Sequence, residues 1–180
     1  MKVLAICGSP RKGNTEWMLD TLLDKLSGNG IETELVKLRK YRIKRCKGCL
    51  KCEEGGEHRK GECRIKDDMT DLLPRLRYAD ALVLGTPVYF DMLSGTLKNF
   101  MDRTNPIWPY LKGKPVAGVA VAEETLGKAI ENLETYASIC KMQWVGSVTA
   151  LAKEKRQVAE NKNVMPLLEQ LAEKLTKALE

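Results

Sequence analysis

Apolar residues change their spacing repeatedly along the chain, and each change marks an element. Val3-Leu4-Ala5-Ile6 is an unbroken apolar run, as in a strand buried on both faces; Leu19, Leu22, Leu23 and Leu26 then follow at helical spacing until Gly28-Asn29-Gly30 stops the helix. Ile31 to Leu38 alternates as a second strand. Asp67 and Asp68 stand before Met69, Leu72, Leu73 and Leu76, which predicts a capped helix bent by Pro74. Ala81 to Gly85 is a third strand, followed by a helix carrying Leu97, Phe100 and Met101. Pro115 to Ala122 is a fourth strand, and Leu126, Ile130, Leu133, Ala137 and Cys140 make the stripe of a fourth helix. Trp144 to Leu151 is the fifth strand, and Val164, Leu168, Leu171, Leu175 and Ala178 form a closing helix.

This alternation predicts one α/β domain over residues 1–180, a doubly wound, five-stranded parallel sheet of order 2-1-3-4-5 with helices on both faces. In that order ligands bind beyond the carboxyl ends of strands 1 and 3. Those ends are Gly8 to Thr15 and Thr86 to Asp91.

The first of these turns leads into a helix N-terminus and carries Ser9, Arg11, Lys12, Gly13, Asn14 and Thr15, a donor set suited to a phosphate. Gly8 and Gly13 have the spacing of a nucleoside-triphosphate loop, but Asn14 replaces its lysine, so a terminal monophosphate fits better. A plain strand-to-helix turn is the structural alternative. The second turn offers Pro87, Val88, Tyr89 and Phe90, main-chain groups beside two aromatic faces, which suit a flat ring; two aromatics at a strand end can equally be core.

Charge and composition narrow the functional classes. A net charge of +6 is compatible with an anionic ligand. The basic run Lys37 to Lys47 lacks a nucleic-acid-binding motif or aromatic platform, so no nucleic-acid partner is expected. Neither a secretory leader nor a membrane-length apolar run is visible, so no membrane and a cytoplasmic location are expected, with the six cysteines as thiols or ligands. The single histidine, His58, argues against Ser-His-Asp hydrolysis and multi-histidine metal chemistry.

Four ordered stretches, Gly8 to Thr15, Cys46-Lys47-Gly48-Cys49-Leu50-Lys51-Cys52, Gly61 to Met69 and Gly85 to Phe90, closely resemble the NADPH-dependent FMN reductase family, especially its iron-sulfur flavoprotein branch. The likeness continues through Leu97 to Thr104. The resemblance implies a flavodoxin-like fold binding FMN, with Ser9, Arg11, Lys12, Gly13, Asn14 and Thr15 at the phosphate and Pro87 to Phe90 along the ring. Asp91 would stand near the ring, and Glu123 would contribute from the loop after strand 4. It implies an FMN-dependent NAD(P)H oxidoreductase whose chemistry is carried by the flavin rather than by a side chain. It also implies a nicotinamide co-substrate, a redox acceptor such as ferredoxin, and a homodimer or homotetramer. A flavodoxin-like carrier without NAD(P)H turnover is the nearest rival.

The remaining feature is a cysteine-rich insertion at about 41–66. Cys46, Cys49 and Cys52 are spaced by two residues each, and Cys63 follows after ten more. Three readings stay open: a 4Fe-4S cluster on the four cysteines, a zinc site that could recruit His58, or metal-free thiols. Cys7 and Cys140 fall on a strand end and a helix stripe, where core burial is expected.

Overall fold

The computed structural model describes residues 1–56 and 60–180; the expectation placed on His58 lies outside them. The chain runs β1 (Lys2–Cys7), α1 (Asn14–Gly28), β2 (Glu32–Lys37), α2 (Met69–Tyr78), β3 (Ala81–Tyr89), β4 (Met92–Leu93), α3 (Gly95–Asp102), β5 (Pro115–Ala122), α4 (Ala129–Ile139), β6 (Gln143–Leu151) and α5 (Val164–Leu179). A 3-10 helix, Asn105–Leu111, joins α3 to β5.

The main sheet has the order β2-β1-β3-β5-β6, all parallel, which is the doubly wound order expected. The strand count is corrected from five to six. β3 runs on to Tyr89 and folds back as β4, pairing Val88 with Leu93 and Tyr89 with Met92. The two turn residues, Phe90 and Asp91, both have positive φ, 49° and 60°, which gives the hairpin a twist matching its strands. Phe90 is not a usual turn former there, and Asp91 alone, without a glycine, is a weak hairpin signal.

Alternation along each strand assigns side chains to the two faces. Val3, Ala5 and Cys7 pack with α1 and α5 through Leu19, Leu22, Leu168 and Leu175. Leu4 and Ile6 pack on the other face with Leu72, Leu76, Leu97 and Phe100 from α2 and α3. These side chains are essentially fully buried, each leucine contributing about 1.5–3 kcal/mol of transfer free energy. Pro74 lies on the exposed side of α2, clear of this core.

With both faces covered, the loops at the carboxyl ends of the strands are left to form a site. Gly8 sets the close approach there: a Cβ on it would lie 2.7 Å from Leu97 Cβ, and its N–H donates to Gly85 O at 2.8 Å. The turn after β1 is thereby locked against β3 and the start of α3.

Candidate functional site

The pocket at the carboxyl ends of β1, β3, β5 and β6 is built from three loops and the end of β3. Ser9, Arg11, Gly13, Asn14 and Thr15 line it from the loop after β1, and Pro87, Val88 and Tyr89 from the last residues of β3. Glu123 and Lys153 stand on the loops after β5 and β6. Nine of the residues expected from the sequence therefore share one cavity.

The first turn is shaped by Ser9. Its buried hydroxyl donates to Arg11 O at 2.7 Å and accepts from Arg11 N at 3.3 Å, curling the chain over α1. Gly13 is the N-cap and has no side chain to receive the first-turn N–H groups. The positive end of α1 is thus without a side-chain cap, beside the hydroxyls of Ser9 and Thr15 and the guanidinium of Arg11. Asn14 acts as a brace instead. Its amide donates to Glu154 O at 2.8 Å and accepts from Val158 N at 3.3 Å, pinning the segment after β6 against α1.

The turn also manages a nearby negative charge. Glu16, in the first turn of α1, is buried and paired with Lys37 at 2.9 Å and with Arg39. Burial alone would raise its pKa, but the hydrogen bonds from Arg39 and Lys37 outweigh that and hold the carboxyl below its ordinary value. The two cations thus neutralise the one carboxylate in the first turn of α1.

Three expected residues stand apart from the pocket. Lys12 faces a neighbouring groove with Trp17 and Asp20. Phe90 and Asp91 occupy the hairpin tip, Phe90 fully exposed. Asp91 O accepts from Lys128 N at 2.6 Å, and a Cβ on Gly127, whose φ is +46°, would lie 2.2 Å from Asp91 Cβ. The hairpin tip and the loop after β5 are therefore pressed together.

Sequence reading missed Lys153, whose ammonium pairs with Glu123 at 2.8 Å across the mouth of the pocket. Its signal was positional: it follows the strand next to β5, at the end of the sheet where ligands bind.

The cysteine segment hangs from a buried base. Arg103 donates to Asp67 through both arms and to the carbonyls of Lys44 and Ile65, while Asn99 holds Ile43 O at 2.9 Å. Asp67 also accepts from the N–H groups of Lys44 and Met69, and Asp68 accepts from Arg42 N. The expected helix cap is thus mainly a clamp on this segment.

Above that base, Cys46 and Cys49 are exposed, and Cys52 and Cys63 half-buried. Cys52 Sγ accepts from Asn105 Nδ2 at 3.1 Å. Burial raises the Cys52 thiol above its ordinary pKa, Asn105 opposes this, and Cys63 and Glu53 add to it. Among the described residues no three histidine, cysteine or carboxylate side chains come together as a metal-binding group. Metal sites of this kind assemble with their ion, and the donor chemistry fits one. Arg103 Nε is buried without a hydrogen-bond partner. Burial works against the charge on that guanidinium, while Asp67 and then Cys63 stabilise it. Cys7 and Cys140 are buried, and burial lifts each to a pKa of about 11.

A doubly wound sheet with an anion-ready turn at its switch point defines the class of flavodoxin-like proteins. The match to the description NADPH-dependent FMN reductase spans residues 1–157, and the chain belongs to that family of oxidoreductases. It is 43% identical over 104 residues to an iron-sulfur flavoprotein of Archaeoglobus fulgidus, a match covering 58% of this chain and 49% of that protein. It is 30% identical over 188 residues to the iron-sulfur flavoprotein of Methanosarcina thermophila, covering 100% of this chain and 96% of the other. A flavodoxin from the domain Archaea superposes with a TM-score of 0.66 at 12% identity, over 100% of both chains, a likeness of fold. Among the described residues no helix is long and apolar enough to cross a membrane.

Proposed function

We propose that the chain binds FMN at the turn after β1 and works as an NAD(P)H-dependent oxidoreductase, passing electrons on to a redox acceptor. The observation that carries this is the uncapped N-terminus of α1, where Ser9, Arg11 and Thr15 face the end of β3 in one pocket. Bound FMN would supply two-electron and one-electron chemistry in one group. The chain's own part is positional. Ser9, Thr15, Arg11 and the first-turn N–H groups hold the phosphate, Asn14 keeps the turn against the segment after β6, and Pro87 to Tyr89 offer main-chain groups to the ring. The enclosed volume, about 130 Å³, suits the phosphate end and leaves the ring open to a second flat molecule, as a nicotinamide donor requires.

Cys46, Cys49, Cys52 and Cys63 are the residues that would hold a 4Fe-4S cluster, as the names of the relatives suggest. Such a cluster would add one-electron storage. Arg103 would place a fixed positive charge beside the Cys63 thiolate.

The test is an absorption spectrum of anaerobically purified protein before and after NADPH. Flavin absorbance that bleaches on addition is expected. Protein that takes up no FMN overturns the reading, and FMN that is bound but not reduced by NADPH or NADH leaves an electron carrier in its place.

A further inference from the structure

A second cavity, of about 310 Å³, opens between the end of the cysteine segment, α2 and the 3-10 helix. Its floor is apolar, formed by Leu73 and Ile107. Lys60, Lys66 and Arg77 stand around it with the Thr70 hydroxyl and Cys63, and among the described residues Glu62 is the one carboxylate on its wall.

Arg77 distinguishes this cavity from an ordinary basic surface. Its guanidinium carbon lies 3.8 Å from the centre of the Tyr110 ring and 5.7 Å from that of Tyr78. Like several other arginines, Arg77 has no ion pair among the described residues; the 3.8 Å stacking on Tyr110 is what sets it apart. Stacking fixes the plane of the guanidinium and leaves its N–H edge free, which is how arginine presents a fork to a carboxylate or phosphate. Gly61 arches over that edge: a Cβ on it would lie 3.5 Å from Arg77 Nη1.

From this geometry we infer that the cavity is a binding site for a small organic dianion, its phosphate or carboxylate on Arg77 and Lys66 and its apolar part on Leu73 and Ile107. The site is separate from the turn after β1 and needs no flavin.

Isothermal titration calorimetry on the purified full-length protein, with whatever cofactor it retains, tests this. Four probes separate the sources: inorganic phosphate, adenosine 5′-monophosphate, adenosine 2′,5′-bisphosphate and citrate. Saturable binding of at least one organic dianion is expected. It should weaken about tenfold or more in Arg77→Gln, recover partly in Arg77→Lys, and stay unchanged in Arg11→Ala, where only the turn after β1 is altered. Nucleotide binding without citrate binding makes the ligand a phosphomonoester; the reverse makes it a carboxylate. Lys66→Gln, an exposed substitution, should weaken binding as well, which keeps the test valid if Arg77 variants unfold. No saturable binding of any probe, or binding indifferent to both Arg77→Gln and Lys66→Gln, overturns the assignment.

Discussion

The guanidinium of Arg103 grips the carboxylate of Asp67 through both arms, at 2.7 and 3.0 Å, with the two side chains 1% and 3% exposed. Arg103 follows the end of α3 and Asp67 stands at the entry of α2, so the pair staples both ends of the cysteine segment, at Lys44 and Ile65, to the helix layer. A buried pair of this kind gains little over an apolar one, but losing one partner strands a charge.

Asp67→Asn is therefore expected to destabilise the protein by about 3–5 kcal/mol, with Arg103→Met costing a similar amount and the double variant recovering part of the loss. The pH dependence has a definite sign. Burial favours the neutral acid, yet the Arg103 hydrogen bonds prevail and the folded carboxyl titrates below its ordinary value. The pair's contribution is then complete above about pH 4 and is lost as pH falls through the depressed folded value. Thermal midpoints between pH 3 and 7 should fall more steeply toward acid in the wild type than in Asp67→Asn. Parallel curves would show that the pair carries no such linkage.

A second prediction concerns Phe90, fully exposed at a left-handed φ of 49°. That conformation costs a side chain about 1–2 kcal/mol, so Phe90→Gly or Phe90→Asn should raise the unfolding free energy by roughly 1 kcal/mol. If the aromatic ring walls the flavin, FMN affinity should fall in the same variants by about 0.5–1.5 kcal/mol. Denaturant titration and flavin-fluorescence titration read the two effects separately. A gain in stability with unchanged affinity would remove Phe90 from the site.

Particular residues show which features the chain declares and which it conceals. Pro115 to Ala122 was legible to the residue because all eight positions are buried and apolar, and the sheet order followed from the alternation of elements. The turn after β1 was legible as one wall of the pocket because its polar residues are nearly consecutive. Asn14 was not legible as a brace, since its partners, Glu154 and Val158, lie 140 and 144 positions away. Asp67 looked like a cap for the same reason: adjacency suggests the helix, and only tertiary packing supplies Arg103. The hairpin at Phe90 and Asp91 was hidden because tertiary contacts, among them Lys128 N on Asp91 O, impose a turn that local propensity would not choose.

At the turn after β1, Arg11 lines the pocket whereas Lys12 faces the neighbouring groove. Arg11→Ala should lose a charge-assisted contact of roughly 1.5–3 kcal/mol and weaken FMN affinity by about one to two decades. Lys12→Ala should cost less, since it removes only a more distant charge. Equal losses in fluorescence titrations would mean that Lys12 swings into the pocket, and no loss in Arg11→Ala would rule out Arg11 as a phosphate ligand.

The cysteines make the last prediction. If Cys46, Cys49, Cys52 and Cys63 share one metal centre, replacing any one of them by serine should lower the iron content of protein reconstituted with iron and sulfide. Cys7→Ser should leave iron unchanged, because its thiol is buried on the α1/α5 face of the sheet; Cys140→Ser should leave it unchanged too, although Cys140 borders a cavity that Cys46 also lines, because its thiol is buried in the core, and each substitution should reduce stability. FMN should remain bound in all four segment variants, since the turn after β1 is held by Ser9 and Asn14 through contacts that do not involve the cysteines. Asn105→Ala offers a finer check: it removes the donor on Cys52 Sγ without removing a ligand. A bond that tunes a bound centre should shift its reduction midpoint on loss of Asn105, with iron content retained. Iron content that ignores all four serine substitutions would leave these residues as thiols, and zinc binding in their place would make the segment a structural metal site.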